Sequence, residues 1–203
     1  VSQIRGECVV GVAEGIVGRK KDNDEFDLYE TPSWATELIV NRLIDDGVLI
    51  LDNVITEPCS GAGAISKLLE NKGFIVKSSD IQEEEFIYGN QGVDVYKMPS
   101  NSENVIFTNP PYNLMTKNNM LNEFLRISTD KVILLLNIYY LSSKDRYDLL
   151  RKSPLKYIYV HSDRVTMFPF GEEKPKSTGT KMFAWFVWEH EYTGEPIVRW
   201  ICK

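Results

Sequence analysis

Five consecutive apolar residues, Val132-Ile133-Leu134-Leu135-Leu136, constrain this chain more than any other stretch. A strand with one wet face alternates polar and apolar residues. A run without a polar residue suits a strand covered on both faces, as in a parallel sheet layered by helices. The surrounding pattern agrees. Thr31-Pro32 reads as a helix start, a hydroxyl N-cap followed by proline at the first helical position. Ala35, Leu38, Ile39 and Leu43 then recur at helical spacing, and Gly47 can close that helix. Ile65, Leu68 and Leu69 mark a second helix ending at Gly73, and Leu121, Phe124 and Leu125 mark a third. Strands are expected at 53–56, 74–76, 93–95, 105–107, 132–136, 157–160 and 183–188. This alternation implies a doubly wound α/β fold, a mostly parallel seven-stranded sheet with helices on both faces.

A chain of 203 residues fits one domain and can bury a core without disulfide staples. Residues 1–26 are read as an N-terminal arm, polar towards its end and expected to be mobile, and 27–203 as a single domain. Cys8, Cys59 and Cys202 are far apart, and with only His161 and His190 to join them no metal site is expected. Reduced thiols fit a cytoplasmic protein. Neither a membrane span nor a signal peptide is expected, and Val1 in place of Met suggests a trimmed N-terminus. A net charge of −6 argues against a protein that coats nucleic acid non-specifically, though a local basic face is compatible with it.

Glu57-Pro58-Cys59-Ser60-Gly61-Ala62-Gly63 joins the first strand to the following helix. Glycines there let backbone N–H groups come close to a ligand, with a helix N-terminus behind them. Seventeen residues beyond Gly63, Asp80 follows the second strand, where a carboxylate can accept both hydrogens of a ribose diol. Asp94 lies where an adenine amino group can bind. Such glycine pairs also occur as plain tight turns. Ser66 stands where a dinucleotide fingerprint would end in glycine or alanine, which speaks against a nicotinamide enzyme.

Asn109-Pro110-Pro111-Tyr112 follows the fourth strand. The prolines stiffen the backbone and remove two donors, leaving carbonyl oxygens outward. Alone this could be a rigid turn with an aromatic plug. Beside a glycine turn and an acidic ribose ligand it is far more specific. The sequence resembles the class I, Rossmann-like methyltransferases, and within them the amino-methyltransferases that carry an (Asn/Asp)-Pro-Pro-(Tyr/Phe) motif. Asp27-Leu28-Tyr29-Glu30-Thr31-Pro32 resembles the segment before the cofactor site in DNA adenine methyltransferases. Gly179 to Trp188 resembles small phage-borne members.

The resemblance implies an S-adenosyl-L-methionine-dependent methyltransferase acting on an exocyclic amino group, adenine N6 in DNA first of all. It places Tyr29, Thr31, Glu57, Pro58, Gly61, Gly63, Asp80, Asp94 and Asn109 around the cofactor. Asn109 and Pro110 would accept the two amino hydrogens, localising a lone pair that the ring otherwise delocalises. Tyr112, beside Pro111, would stack on a base flipped out of its duplex, a role Tyr112→Phe would keep.

Members that choose a sequence usually carry a recognition domain. Only 14 residues separate Asp94 from Asn109 and 15 follow Trp188, so a partner subunit or a loop is expected to supply specificity. The stretch from His161 to Lys181 interleaves Arg164, Lys174, Lys176 and Lys181 with Phe168 and Phe170, which suits phosphate contact and base stacking. It equally suits a solvated loop with a hydrophobic anchor. The competing readings are an RNA amino-methyltransferase, a protein-glutamine methyltransferase, and a non-catalytic subunit that keeps the fold.

Overall fold

The computed structural model describes residues 29–117, 119–169 and 181–203. In chain order these form β1 (Tyr29–Glu30), α1 (Ser33–Asp45), β2 (Val54–Glu57), α2 (Ala64–Asn71), β3 (Ile75–Ser78) and β4 (Glu103–Thr108). There follow α3 (Tyr112–Lys117), α4 (Met120–Ile127), β5 (Ser128–Asn137), α5 (Tyr147–Lys152), β6 (Leu155–His161), β7 (Phe168–Pro169), β8 (Phe183–Glu189) and β9 (Ile197–Ile201). Seven of the strands make one sheet in the order β3-β2-β4-β5-β8-β6-β9. β2 runs parallel to β3 and β4, β4 to β5, and β6 to β9; β8 alone runs antiparallel, between β5 and β6.

The period of two along the central strands divides their side chains between two cores. Ile133 and Leu135 of β5 join Val105 and Phe107 of β4 beneath Ile39 and Leu43 of α1 and Ile65 and Leu69 of α2. Val132, Leu134 and Leu136 join Ile106, Phe186 and Trp188 beneath Leu121, Phe124 and Ile127 of α4. Both faces are dry, which is why the strand sequence does not alternate. Each such side chain contributes roughly 1.5–3 kcal/mol on burial.

Three expectations need correction. Residues 93–95 are not a strand. Asp94 accepts the Tyr96 N–H at 3.0 Å and caps a short 3₁₀ turn, Val95–Lys97, so a local carboxylate bond outcompetes pairing with β3. The sheet's seventh strand is instead β9 at its edge, whose Ile197-Val198-Arg199-Trp200-Ile201 has the β-branched and aromatic character of a strand. Nor does Thr31 cap α1. Pro32 holds that position without a side-chain bond, and the Thr31 hydroxyl is used across the cleft described below.

Candidate functional site

A cleft of about 1000 Å³, open to solvent, lies at the carboxyl ends of β2, β3 and β4. Such sheets bind ligands there because the loops diverge and helix N-termini converge. Of the residues expected around a cofactor, Tyr29, Thr31, Glu57, Pro58, Gly61, Asp80, Asp94 and Asn109 all line it, together with Pro110, Pro111 and Tyr112. Asp27 and Leu28 lie outside the described residues.

The glycine loop is laced to the chain that follows β3. Gly61, with φ of +48°, donates its N–H to Asp80 Oδ2 at 2.9 Å, and Gln82 donates its N–H to Oδ1 at 3.0 Å. The Ser60 hydroxyl donates to the Tyr88 carbonyl at 2.7 Å, and the Tyr88 N–H donates to the Gly61 carbonyl at 2.8 Å. Gly63 does something other than expected. It does not line the cleft; a Cβ there would meet the Tyr88 ring at 2.5 Å, and its φ is +80°. Its glycine character serves packing under Tyr88, at the start of α2.

Glu57 is buried at the end of β2. Ser66 donates both its N–H, at 2.8 Å, and its hydroxyl to Oε2, and Ser78 donates its own hydroxyl to Ser66 Oγ at 2.6 Å. Burial outweighs these bonds and pushes the Glu57 carboxyl up to about 8. Cys59 also lines the cleft, and burial drives its thiol well above the ordinary range, so it is no thiolate nucleophile. Asp94 faces the cleft with Lys97 3.2 Å from its Oδ2.

At the end of β4, Asn109 is fixed from two sides. Its Nδ2 donates to Thr31 Oγ1 at 3.0 Å, and its Oδ1 accepts from the Tyr112 hydroxyl at 2.6 Å. Leu114 and Met115 donate their N–H groups to the Pro111 carbonyl, opening α3. The Pro110 carbonyl takes no hydrogen bond from the described residues. The Tyr112 ring packs against Phe183 with centroids 6.0 Å apart, and burial raises its phenol far above the usual range.

The expected substrate loop is described only at its ends. Phe170, Lys174 and Lys176 lie outside the described residues. Phe168 and Pro169 form β7, which pairs antiparallel with Glu30 and Tyr29, so the loop's first part reaches the segment that lines the cleft. Arg164 and Lys181 are exposed and are not among the residues lining the cleft. Sequence reasoning missed Ile81, Gln82 and Tyr96 as cleft residues. Ile81 and Gln82 directly follow Asp80, and that adjacency was the available signal.

Among the described residues no group of three or more His, Cys, Asp or Glu side chains could hold a metal, and no helix is long and apolar enough to cross a membrane. No family model and no curated protein matches the chain. Solved structures do. A proposed RNA methyltransferase from Pyrococcus horikoshii aligns with a TM-score of 0.61 at 14% identity, covering 84% of this chain and 90% of that one. The methyltransferase subunit of a type I restriction-modification system from Streptococcus thermophilus aligns with a TM-score of 0.57 at 8% identity; 83% of this chain covers 46% of that subunit, about half its length. Magnesium protoporphyrin IX methyltransferase from Synechocystis, solved with bound S-adenosylmethionine, aligns with a TM-score of 0.51 at 17% identity over 78% of this chain and 79% of that one. The fold is therefore that of the Rossmann-like methyltransferases.

Proposed function

We propose that this chain is an S-adenosylmethionine-dependent methyltransferase acting on an exocyclic amino group, with adenine N6 in DNA as its substrate. The observation that carries this reading is Asn109, held by Thr31 and Tyr112 at the wall of a cleft that also presents Glu57, Asp80 and Asp94. Asp80 and Asp94 suit a ligand rich in donors and positive charge and repel one built on phosphates, and Glu57 adds a carboxyl that a cation beside it would drive to ionise. A ribose diol, an adenine amino group and an ammonium supply those donors, so the residues present fit S-adenosylmethionine. Asp80 keeps lone pairs beyond the two it gives to Gly61 and Gln82, and Asp94 keeps lone pairs beyond those facing the Tyr96 N–H and Lys97. Ile81, Val95 and Tyr96 offer the apolar faces that a purine needs.

The bound cofactor supplies a methyl group on a positively charged sulfur. The chain's own task is to present a nucleophile. An aromatic amine is poor in that role until both its hydrogens are held by acceptors that draw the nitrogen out of plane. Asn109 Oδ1 and the Pro110 carbonyl are those acceptors. Oδ1 has two lone pairs, so it serves the amine while keeping the Tyr112 hydroxyl. Asn109 is no base, and its oxygen instead stabilises positive charge developing on nitrogen. Tyr112, braced by Phe183, offers its ring to the base. With no recognition domain evident between Asp94 and Asn109, target choice falls to a partner subunit or to the loop that β7 anchors.

The test is transfer of labelled methyl to duplex DNA, single-stranded DNA, RNA and peptide. Label on N6 of adenine in DNA supports the reading. Label on RNA alone moves the substrate to RNA, and label on peptide alone ends the nucleic-acid reading.

A further inference from the structure

A second hollow, with about 530 Å³ of space open to solvent, is lined by Tyr112, Met115, Leu136, Asn137, Tyr139 and Arg146 among others. Tyr112 lines this hollow and the cofactor cleft alike, so whatever occupies the hollow sits beside the acceptor position. The hollow is built by the connection after β5, where the chain turns through Ile138–Leu141 before α5.

Tyr139 is 62% exposed, yet its backbone is hydrogen-bonded on both sides. The Tyr139 N–H donates to Asn137 Oδ1 at 3.0 Å. Arg146 donates from Nε to the Tyr140 carbonyl at 2.9 Å and from Nη2 to the Tyr139 carbonyl at 3.3 Å, and its guanidinium lies 4.6 Å from the Tyr140 ring centroid. An aromatic presented to water from a backbone so held is a stacking platform in waiting. Its setting has the charge for a polyanion. Residues 137–152 carry Lys144, Arg146, Arg151 and Lys152 against Asp145 and Asp148, in a chain whose net charge is −6. Asp148 is matched by Arg151 and Lys152 at 3.7 and 3.5 Å, which leaves Lys144 and Arg146 against Asp145, with Arg146 at the hollow itself.

We propose that this hollow receives the nucleotide next to the acceptor base, unpaired, with its base stacked on Tyr139 and its backbone drawn by Arg146 and Lys144. This rests on the nucleic-acid reading of the neighbouring cleft and adds a positioning surface on the other side of Tyr112. A strand so held crosses Tyr112 with one base turned towards Asn109 and its neighbour on Tyr139.

The experiment uses the full chain, a fluorescein-labelled 12-nucleotide single-stranded DNA and fluorescence anisotropy. Tyr139→Ala should weaken binding about tenfold or more, and Tyr139→Phe and Tyr139→Trp should bind like the parent, since stacking needs the ring and not the hydroxyl. In methyl transfer Tyr139→Ala should raise KM more than it lowers kcat. Cofactor affinity and melting temperature report that the variant is folded. Parent-like binding by Tyr139→Ala, or equal loss in the alanine and phenylalanine variants, overturns the inference while the function of the cleft stands. A parent protein that ignores the oligonucleotide and methylates only peptide overturns both.

Discussion

The Tyr112 hydroxyl donates to Asn109 Oδ1 at 2.6 Å, the oxygen that the amine would also have to reach in the proposed reaction. The motif's last residue therefore orients its first. The sequence points to the Tyr112 ring as a stacking surface, and the fold adds a use for its hydroxyl. Tyr112→Phe should now cost between about twofold and about tenfold in kcat, the scale of one neutral hydrogen bond, with cofactor affinity unchanged. Tyr112→Ala, which also removes the ring packed on Phe183, should cost far more. Steady-state kinetics with equal loss in the two variants would reject a separate stacking role.

Thr31 holds the opposite side of the same amide, accepting from Asn109 Nδ2 at 3.0 Å. Thr31→Val keeps the shape and strands that donor, so kcat should fall about tenfold while KM for cofactor stays near the parent value. Asn109→Ala should lower kcat by about two orders of magnitude or more, as for loss of an oriented polar group at the reacting centre. Unaltered turnover in Asn109→Ala would remove the motif from the chemistry.

Asp80 is expected to bind ribose, and it also ties Gly61 to Gln82. Asp80→Ala should weaken cofactor binding by about 1.5–3 kcal/mol and lower the melting temperature even without cofactor. Calorimetry on a folded variant with parent affinity would free Asp80 from the ligand role and leave the structural one.

Glu57, held near 8 by burial, is largely protonated at neutral pH. A cationic ligand beside it should drive it to ionise, so cofactor binding at pH 7 should release up to about one proton. Titration calorimetry in buffers of different ionisation enthalpy reads that proton directly. Glu57→Gln should abolish its release. Because the folded value is raised, the stability Glu57 contributes is complete below its unfolded value of 4.5 and is lost as pH rises through about 8. Glu57→Gln should flatten that decline.

His161 works in the opposite sense. It is buried at the end of β6, accepts the Trp185 indole N–H at Nε2 over 3.1 Å, and among the described residues has no hydrogen-bond partner at Nδ1. Burial lowers its imidazolium to about 4 from an ordinary 6.5. The folded state therefore binds the proton less well than the unfolded one. Its contribution is complete above 6.5 and is lost as pH falls towards 4, on the order of 3 kcal/mol in all. His161→Gln, which can still accept from Trp185, should be less acid-sensitive in melting experiments between pH 7 and 4.

Local sequence determined the layers of this protein. The unbroken apolar run at Val132–Leu136 already requires two dry faces, and the glycine turn, Asp80 and the Asn109–Tyr112 motif already fall at strand ends where such a sheet opens. Those features depend on residue type and short spacing, which a chain carries by itself. Tertiary structure decided the rest because it depends on partners distant in sequence. Thr31 left its capping role for a bond to a residue 78 positions away. β9 took the seventh place because β6, 40 positions earlier, offered it a parallel edge. Gly63 is glycine for Tyr88, and only the folded chain brings that ring above it.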